Sequence, residues 1–189
     1  MNALNMAELS VLDFIQEHIA CPFLDAVMPV ITSLADAGIF WIALAVFMLF
    51  FSKTRKTGLM MGLALVIGLV TVNLMIKPIV GRIRPYELKE GFELLIEKLH
   101  DGSFPSGHTL ASFEAAGVLM VRERNRFGYP ALALAILIAF SRLYLYVHYP
   151  TDVAVSIVLG LAYAFVAYVV INYLFKRFDL AKKLRCSDK

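Results

Sequence analysis

The sequence predicts an all-α fold: a polytopic membrane bundle of five to six transmembrane helices with an amphipathic helix at its N-terminus. Hydrophobic residues make up 60% of the 189 residues and charged residues only 17%, and the mean hydropathy is +0.73. Soluble domains are about 45–50% apolar, so this composition could hardly cover a surface exposed to water. The apolar residues also collect in runs near the ~20 residues that a bilayer crossing requires.

The first 21 residues are predicted to form an interfacial helix. Leu9, Leu12, Ile15 and Ile19 recur at helical spacing, and the carboxylates interspersed with them make this segment acidic. The pattern is typical of an amphipathic helix that lies at a membrane surface.

Five apolar segments are predicted to cross the membrane. The preceding residues 22–37 are also apolar, but Pro29 and Asp36-Ala37-Gly38 interrupt them. They could begin one long kinked helix, re-enter the membrane or form a sixth crossing. The whole chain, 1–189, is predicted to be a single domain with a helical core at 22–177 and a basic tail at 178–189. The five crossings are residues 38–52, 57–77, 107–121, 130–147 and 151–175.

Basic residues predict the orientation. Short loops rich in Lys and Arg stay in the cytoplasm. With five crossings, twelve basic residues fall on one side, in the loops 53–56 and 122–126 and after the last crossing, and six fall on the other. We therefore expect a multi-pass protein of the cell (inner or plasma) membrane with a cytoplasmic C-terminus and an N-terminus outside.

The long connection 85–106 lies on the outer side in this topology. Its residues Phe92, Leu95, Ile96 and Leu99 are spaced i, i+3, i+4 and i+7, which predicts a short amphipathic helix. That helix could rest on the lipid headgroups or act as a lid that guides substrate.

Three polar segments adjoin the apolar runs, where charged residues are costly and usually functional. In the first, Lys77 and Arg84 are seven residues apart and would share one helix face, although Pro78 weakens that alignment. Cations at a helix end can also be anchors that reach for the membrane surface.

The second segment, Pro105-Ser106-Gly107-His108, opens an apolar helix. Ser106 is predicted to be the N-cap, and Gly107 would let backbone N–H groups approach an anion bound at the helix N-terminus. His108 would lie beside that anion. Taken alone, the segment could equally be a capping turn with an interfacial histidine.

The third segment runs from Ser141-Arg142 to His148 and Asp152. Pro150 favours a helix start there, which places His148 in a loop and Asp152 in the first helical turn. An Asp near a His can fix its tautomer and stabilise the imidazolium, but the pair could also be structural.

The topology brings all three segments to the outer face. Cations for a phosphoryl group, a nucleophile and a proton donor are the parts that phosphoryl transfer requires.

The three segments resemble the motifs of the type-2 phosphatidic acid phosphatase superfamily, K-x6-RP, PSGH and SR-x5-H-x3-D, without a gap or substitution. The resemblance implies a metal-independent phosphatase without a cofactor and with a six-helix core. His148 would attack phosphorus to form a phosphohistidine, Asp152 would orient it, and His108 would protonate the leaving oxygen and later activate water. The phosphate would be held by Lys77, Arg84, Ser106, Gly107 and Arg142.

The resemblance leaves several lipid phosphates open as substrate. Undecaprenyl diphosphate is slightly favoured, because an outward site suits recycling of a diphosphate carrier, and phosphatidylglycerophosphate, phosphatidic acid or a lipid A phosphate would also fit. A non-hydrolysing transporter or binder of lipid phosphates is the alternative of a different class. The expected partners are the lipid substrate and the bilayer; no basic and aromatic block suggests nucleic acid, and the oligomeric state stays open.

Overall fold

The computed structural model describes residues 3–89 and 91–187. These residues form helices joined by loops, with no β-strand among them, which confirms the predicted all-α fold. A π-helical segment, Leu69–Ile76, continues α4 into α5, and another, Arg124–Gly128, leads into α8. The α-helices are α1 (Ala3–His18), α2 (Pro22–Ser33), α3 (Ile39–Leu49), α4 (Arg55–Gly68), α5 (Lys77–Val80), α6 (Pro85–Leu88), α7 (Gly107–Arg122), α8 (Tyr129–Tyr144) and α9 (Pro150–Ser187).

Three helices in the described part of the chain are long and apolar enough to cross a membrane, which supports a multi-pass protein. The pair α2 and Asp36–Leu49 passes the same test together, with a bend of 41° at its break, so the described residues contain up to four candidate spans. The 12-residue α2 is about 18 Å long, too short to cross alone. The count of five to six crossings stays a prediction. The three helices cover Arg55–Leu88, Arg124–Tyr144 and Pro150–Phe178.

Both ends of the described chain are helical. α1 packs against the bundle through the buried side chains of Leu12 and Ile15, while its position at a membrane surface stays a prediction. At the other end, α9 continues as a helix through the predicted tail to Ser187. Residues 1–2, 90 and 188–189 lie outside the described residues.

Helix α7 lies at the centre of the bundle and packs against α4, α8 and α9. Glycines allow its close approach to α9: a Cβ at Gly160 would lie 2.9 Å from the Leu110 carbonyl oxygen, and one at Gly117 would lie 2.8 Å from the Ala164 Cβ. Along both helices the contacts advance together, from Leu110 and Gly160 to Gly117 and Ala164. The two helices therefore run in the same direction. Their N-termini therefore lie at the same end of the bundle.

The predicted amphipathic helix in the outer connection is wrong. Residues 92–100 have no helix; instead, alternate side chains of residues 92–96 are exposed and half-buried, as in an extended segment. Phe92 packs against Tyr146 in a tilted arrangement, with ring centroids 4.6 Å apart, and the Tyr86 hydroxyl donates to the Leu99 carbonyl. A helix with this spacing would have turned Leu95 inward, but Leu95 is exposed. Packing against the two tyrosines therefore decides the conformation of this segment.

The shared helix face predicted for Lys77 and Arg84 is also wrong. Helix α5 ends at Val80, and Gly81 follows with a left-handed φ of 53°, a conformation that terminates helices. Arg84 is extended and precedes the new helix α6. The two cations therefore meet because the chain turns between them.

Candidate active site

The N-termini of α7 and α9 frame one end of the bundle. Ser106 caps α7, as predicted, with its hydroxyl accepting from the Thr109 N–H, and Pro150 begins α9. The Ser106 N–H donates to the Asp152 carbonyl oxygen at 3.4 Å, which ties the two helix starts together. The PSGH segment and the His–Asp segment, 40 residues apart in the sequence, are therefore neighbours.

His148 lies in the short loop between α8 and α9. Every residue from Leu145 to Tyr149 is at most 2% exposed, and Tyr146 has a left-handed φ of 60°. A bulky residue in that conformation is strained and persists only where surrounding contacts determine it. The loop thus holds His148 rigidly in the protein interior.

Asp152 and Ser103 hold one nitrogen of His148. The Asp152 Oδ2 lies 3.5 Å from the His148 Nδ1, and the Ser103 hydroxyl lies 3.4 Å from Nδ1 while donating to Oδ2 at 2.5 Å. The Tyr149 N–H also donates to that carboxylate, at 3.0 Å. His148 Nε2 faces the other way, 3.4 Å from Nη1 of Arg84. Nε2 is therefore the ring nitrogen that faces the cations, and neither Asp152 nor Ser103 contacts it.

Two of the predicted phosphate-binding cations share one carboxylate. Asp101 forms an ion pair with Lys77 and a second with Nη2 of Arg84 at 2.7 Å. Nη1 of Arg84 donates to the Val147 carbonyl, so its guanidinium is anchored beside His148. The start of α7 lies close to this pair: a Cβ at Gly107 would be in ordinary contact with the Lys77 ammonium, at 3.8 Å.

Arg142 presents hydrogen-bond donors that the described residues leave unpaired. Its Nη1 donates to the Thr32 hydroxyl at 2.5 Å, whereas Nε and Nη2 are buried and have no partner in the described part of the chain. Buried guanidinium donors without acceptors are costly unless an anion binds them. Arg142 acts electrostatically on both Lys77 and His148, which places it in the same cation cluster.

His108 pairs with a carboxylate from outside the three motifs. Its Nε2 lies 2.8 Å from Oδ1 of Asp36, in the turn between α2 and α3. His108, Lys77 and Gly107 line one cavity of about 570 Å³. The structure thus places His108 beside the Lys77 end of the cation cluster, and Arg142 is within electrostatic range of it.

The electrostatics of the loop residues suit anion chemistry. Burial lowers the pKa of His148 to about 3, with the charges of Arg142 and Arg84 adding to burial and Asp152 opposing it, so the imidazole is neutral. Burial alone would raise the pKa of Asp101, but hydrogen bonds and charges from Lys77 and Arg84 outweigh it and lower that pKa to about 2. Asp101 is therefore an anion bound by the cations at any physiological pH.

Sequence reasoning missed the residues that support the motifs. Ser103, Asp101, Asp36 and Thr32 all contact predicted site residues, and Arg82 contacts Asp152. They lack helical periodicity and motif spacing, and four of them come from distant loops or helices. Only Arg82 carried a signal, because it lies inside the first motif beside the predicted cations.

Arg82 connects the N-terminal helix to Asp152. Its guanidinium donates to Asp152 Oδ1 at 2.5 Å and to Glu8 Oε2 at 2.5 Å, and it lies 3.8 Å from the Tyr149 ring centroid. Glu8 also accepts from the N–H and hydroxyl of Thr151. Both carboxylates are buried, and Arg82 is their shared cation.

Arg82→Ala is expected to lower both stability and turnover. Removing one partner of a buried ion pair leaves an uncompensated charge and costs about 3 kcal/mol. The melting temperature of the purified protein and its phosphate release should both fall, whereas Arg124→Ala, on an exposed arginine near Tyr129, should change neither. Equal melting temperatures for Arg82→Ala and the unmodified protein would contradict this role.

The site is rich in cations and poor in metal ligands. Within residues 3–89 and 91–187, no three His, Cys, Asp or Glu side chains lie close enough to share a metal ion. Asp36, Asp101 and Asp152 are each paired with a different cation or histidine. The arrangement presents positive charge and N–H donors to an anionic group.

Comparison with known proteins decides the family. A profile described as "PAP2 superfamily" matches residues 56–176, the region that contains all three motifs. The chain belongs to the PAP2 superfamily. This PAP2 protein is a phosphatase, a hydrolase embedded in the membrane by several helices.

Two curated relatives and one solved structure are similar to this PAP2 phosphatase. Undecaprenyl-diphosphatase BcrC of Bacillus subtilis (strain 168) is 32% identical over 156 residues, 82% of this chain and 75% of the relative. An undecaprenyl-diphosphatase of Sulfolobus acidocaldarius is 32% identical over 120 residues, 64% of this chain and 58% of the relative. The crystal structure of a PAP2-type phosphatidylglycerolphosphate phosphatase from Bacillus subtilis superposes with a TM-score of 0.74 at 29% identity, covering 92% of this chain and 88% of that one.

Proposed function

We propose that this PAP2 phosphatase hydrolyses a lipid diphosphate, undecaprenyl diphosphate, to undecaprenyl phosphate and inorganic phosphate through a phosphohistidine. The observation that carries the phosphoryl chemistry is the cation cluster beside His148: Arg84 adjoins its Nε2, and Arg142 adds two buried donors that have no partner among the described residues. The lipid assignment rests on similarity to two undecaprenyl-diphosphatases.

In the first step, Nε2 of His148 attacks the terminal phosphorus. The N–P bond forms, the bond from phosphorus to the bridging oxygen breaks, and His108 gives that oxygen a proton as undecaprenyl phosphate leaves. Lys77, Arg84 and Arg142 would neutralise the charge on the equatorial oxygens, with the Ser106–Gly107 start of α7 also facing them.

In the second step, water attacks the phosphohistidine. His108, now neutral, takes a proton from the water, the P–N bond breaks, and inorganic phosphate forms. Asp152 keeps Nδ1 of His148 oriented in both steps and stabilises the positive charge on the phosphorylated ring. These steps use protein side chains alone, so turnover should persist in a chelator.

The cavity supports a long apolar tail on the substrate. From Lys77 and His108 it extends along α4 to Gly58, 19 residues or roughly 30 Å at 1.5 Å per residue. Gly62 lines it as well, and a Cβ there would meet nothing within 4 Å, so its missing side chain leaves room in the wall. A chain of isoprene units could lie there while its diphosphate meets the cations.

Phosphatidylglycerophosphate is the second candidate substrate, favoured by the solved structure named above. Phosphate release by purified protein from undecaprenyl diphosphate, phosphatidylglycerophosphate and phosphatidic acid tests the choice. The highest kcat/KM should be with undecaprenyl diphosphate. A preference for either glycerolipid would overturn the substrate assignment, and no release from any of them would overturn the function.

We further propose five crossings with the site on the extracytoplasmic face of the cell membrane. The supporting observation is the predicted charge asymmetry, together with the shared end of α7 and α9. A cysteine at Lys98, on the exposed outer connection, should react with an impermeant thiol reagent in intact cells in a Cys21→Ser, Cys186→Ser background. One at Arg124 should react only after lysis, and the reverse result would invert the orientation.

Asp101→Asn is expected to strengthen binding of inorganic phosphate. The carboxylate now holds two cations that the substrate phosphate would use, and its pKa of about 2 keeps it charged throughout the working range. Its ion pairs persist above that pH and are lost as the pH falls through about 2. The inhibition constant of phosphate should therefore fall several-fold, whereas Glu97→Gln, on an exposed neighbour, should leave it unchanged. Weaker inhibition in Asp101→Asn would contradict competition.

A further inference from the structure

We infer that Asp36 is a positioning residue for His108, supplied by a segment that lies outside both the PAP2 match and the three motifs. This inference rests on the proposed function, in which His108 is the proton donor. The profile begins at residue 56, whereas Asp36 lies in the turn between α2 and α3. Its Oδ1 is 2.8 Å from Nε2 of His108.

The backbone at this turn is strained in a way that presents Asp36. Ala37 has φ +49° and Gly38 φ +68°, two consecutive left-handed residues that break the helix between α2 and α3. A left-handed alanine costs about 1–2 kcal/mol, so surrounding contacts must maintain it. A continuous helix through this break would have no such turn to project Asp36 toward α7.

Hydrogen bonds hold α3, which follows the turn, against α7, the helix that carries His108. Trp41 Nε1 donates to the Ser112 hydroxyl at 3.0 Å, and that hydroxyl donates to the His108 carbonyl at 2.8 Å. Trp41 is 1% exposed, so α3 is anchored to the first turns of α7. Asp36 and His108 are thereby held on two rigid elements that face each other.

The pairing matches what an acid–base histidine requires. A carboxylate that accepts from Nε2 fixes the tautomer and leaves Nδ1 for the substrate, and Nδ1 has no hydrogen-bond partner in the described part of the chain. The other charged groups that act on His108 are the cations Lys77, from the start of α5, and Arg142, from α8. Both are positive, whereas Asp36 supplies a negative charge at hydrogen-bond distance that would stabilise the imidazolium form of His108 during proton donation.

The test compares two leaving groups. A long-chain alkyl monophosphate loses a strongly basic alkoxide and needs the proton from His108, whereas p-nitrophenyl phosphate loses a weakly basic phenolate and does not. Phosphohistidine formation is followed in single turnovers for the unmodified protein, Asp36→Ala, Asp36→Asn and the control Glu17→Ala, an exposed acid on α1. Single turnovers separate this step from the later attack of water.

Asp36→Ala should slow phosphohistidine formation from the alkyl phosphate by about 10–100-fold, within the range that general acid catalysis contributes. Asp36→Asn, which keeps the shape but not the charge, should show most of that loss. Formation from p-nitrophenyl phosphate should change less than about twofold, and Glu17→Ala should change neither rate. In a His108→Ala background, Asp36→Ala should cause no further loss, because the two residues act as one unit.

Three results would each overturn the role of Asp36. They are equal slowing with both substrates, no slowing with either substrate, and additive losses in the His108→Ala background. If Asp36→Ala does not fold, the Asn variant tests the same role with the same substrates. If the unmodified protein forms no phosphohistidine from undecaprenyl diphosphate either, the proposed function itself is wrong.

Discussion

His148→Ala should abolish phosphate release, with a loss of about 10⁶-fold, the size seen when the nucleophile of a covalent mechanism is deleted. The reason is that Nε2 of His148, the nucleophile in the proposed mechanism, lies beside Arg84, while Nδ1 is held by Asp152 and Ser103. The measurement is phosphate release from undecaprenyl diphosphate, with acid-quench detection of the phosphoenzyme.

The protein should still fold after this substitution. His148 is neutral, because burial lowers its pKa to about 3, so the change removes no charge from the interior. Asp152 keeps its bonds from Arg82, Ser103 and Tyr149. His148→Gln fills more of the site and serves if the alanine variant is unstable. The control is His100→Ala, an exposed histidine in the outer connection, which should keep full activity. Turnover above about 1% in a folded His148 variant would refute the nucleophile.

Arg142→Lys should lower kcat/KM by about 10²–10³-fold, the cost of losing one donor to developing charge in a preorganised site. Lysine keeps the positive charge but loses the planar fork that binds two phosphate oxygens at once. The two buried donors Nε and Nη2, which have no partner among the described residues, are the atoms removed.

This variant also tests whether geometry or charge matters in the cluster. Arg126→Lys, on an exposed arginine in the π-helical segment before α8, is the matched control and should leave kcat/KM unchanged. If Arg142→Lys retained normal kcat/KM, charge alone would suffice and the bidentate role would be wrong. A fall in melting temperature without a fall in kcat/KM would assign Arg142 to structure through Thr32.

The sequence predicted correctly those features that depend on interactions between neighbouring residues. Apolar runs predicted helices, since lipid requires a helix to satisfy its own backbone, although α9 continues to Ser187, well past the predicted end at 175. The helix starts at Ser106 and Pro150 followed from capping chemistry, which involves only a few neighbouring residues.

Local patterns failed where packing between distant segments decides the backbone. Residues 92–100 have a helical spacing of apolar side chains, yet they lie extended because Tyr86 and Tyr146 offer a surface to alternate residues. Lys77 and Arg84 were assigned one helix face, yet a left-handed Gly81 ends the helix and a turn brings the two side chains to Asp101.

By itself, the sequence determined the membrane class, the motif residues and the phosphoryl chemistry that they imply, because residue type and spacing carry that information. Only the tertiary structure decided the partners: Asp36 for His108, Arg82 and Ser103 for Asp152, and Asp101 for the cations. The physical reason is that such contacts join side chains 17 to 72 residues apart, whose meeting depends on how the helices pack and not on any periodicity along the chain.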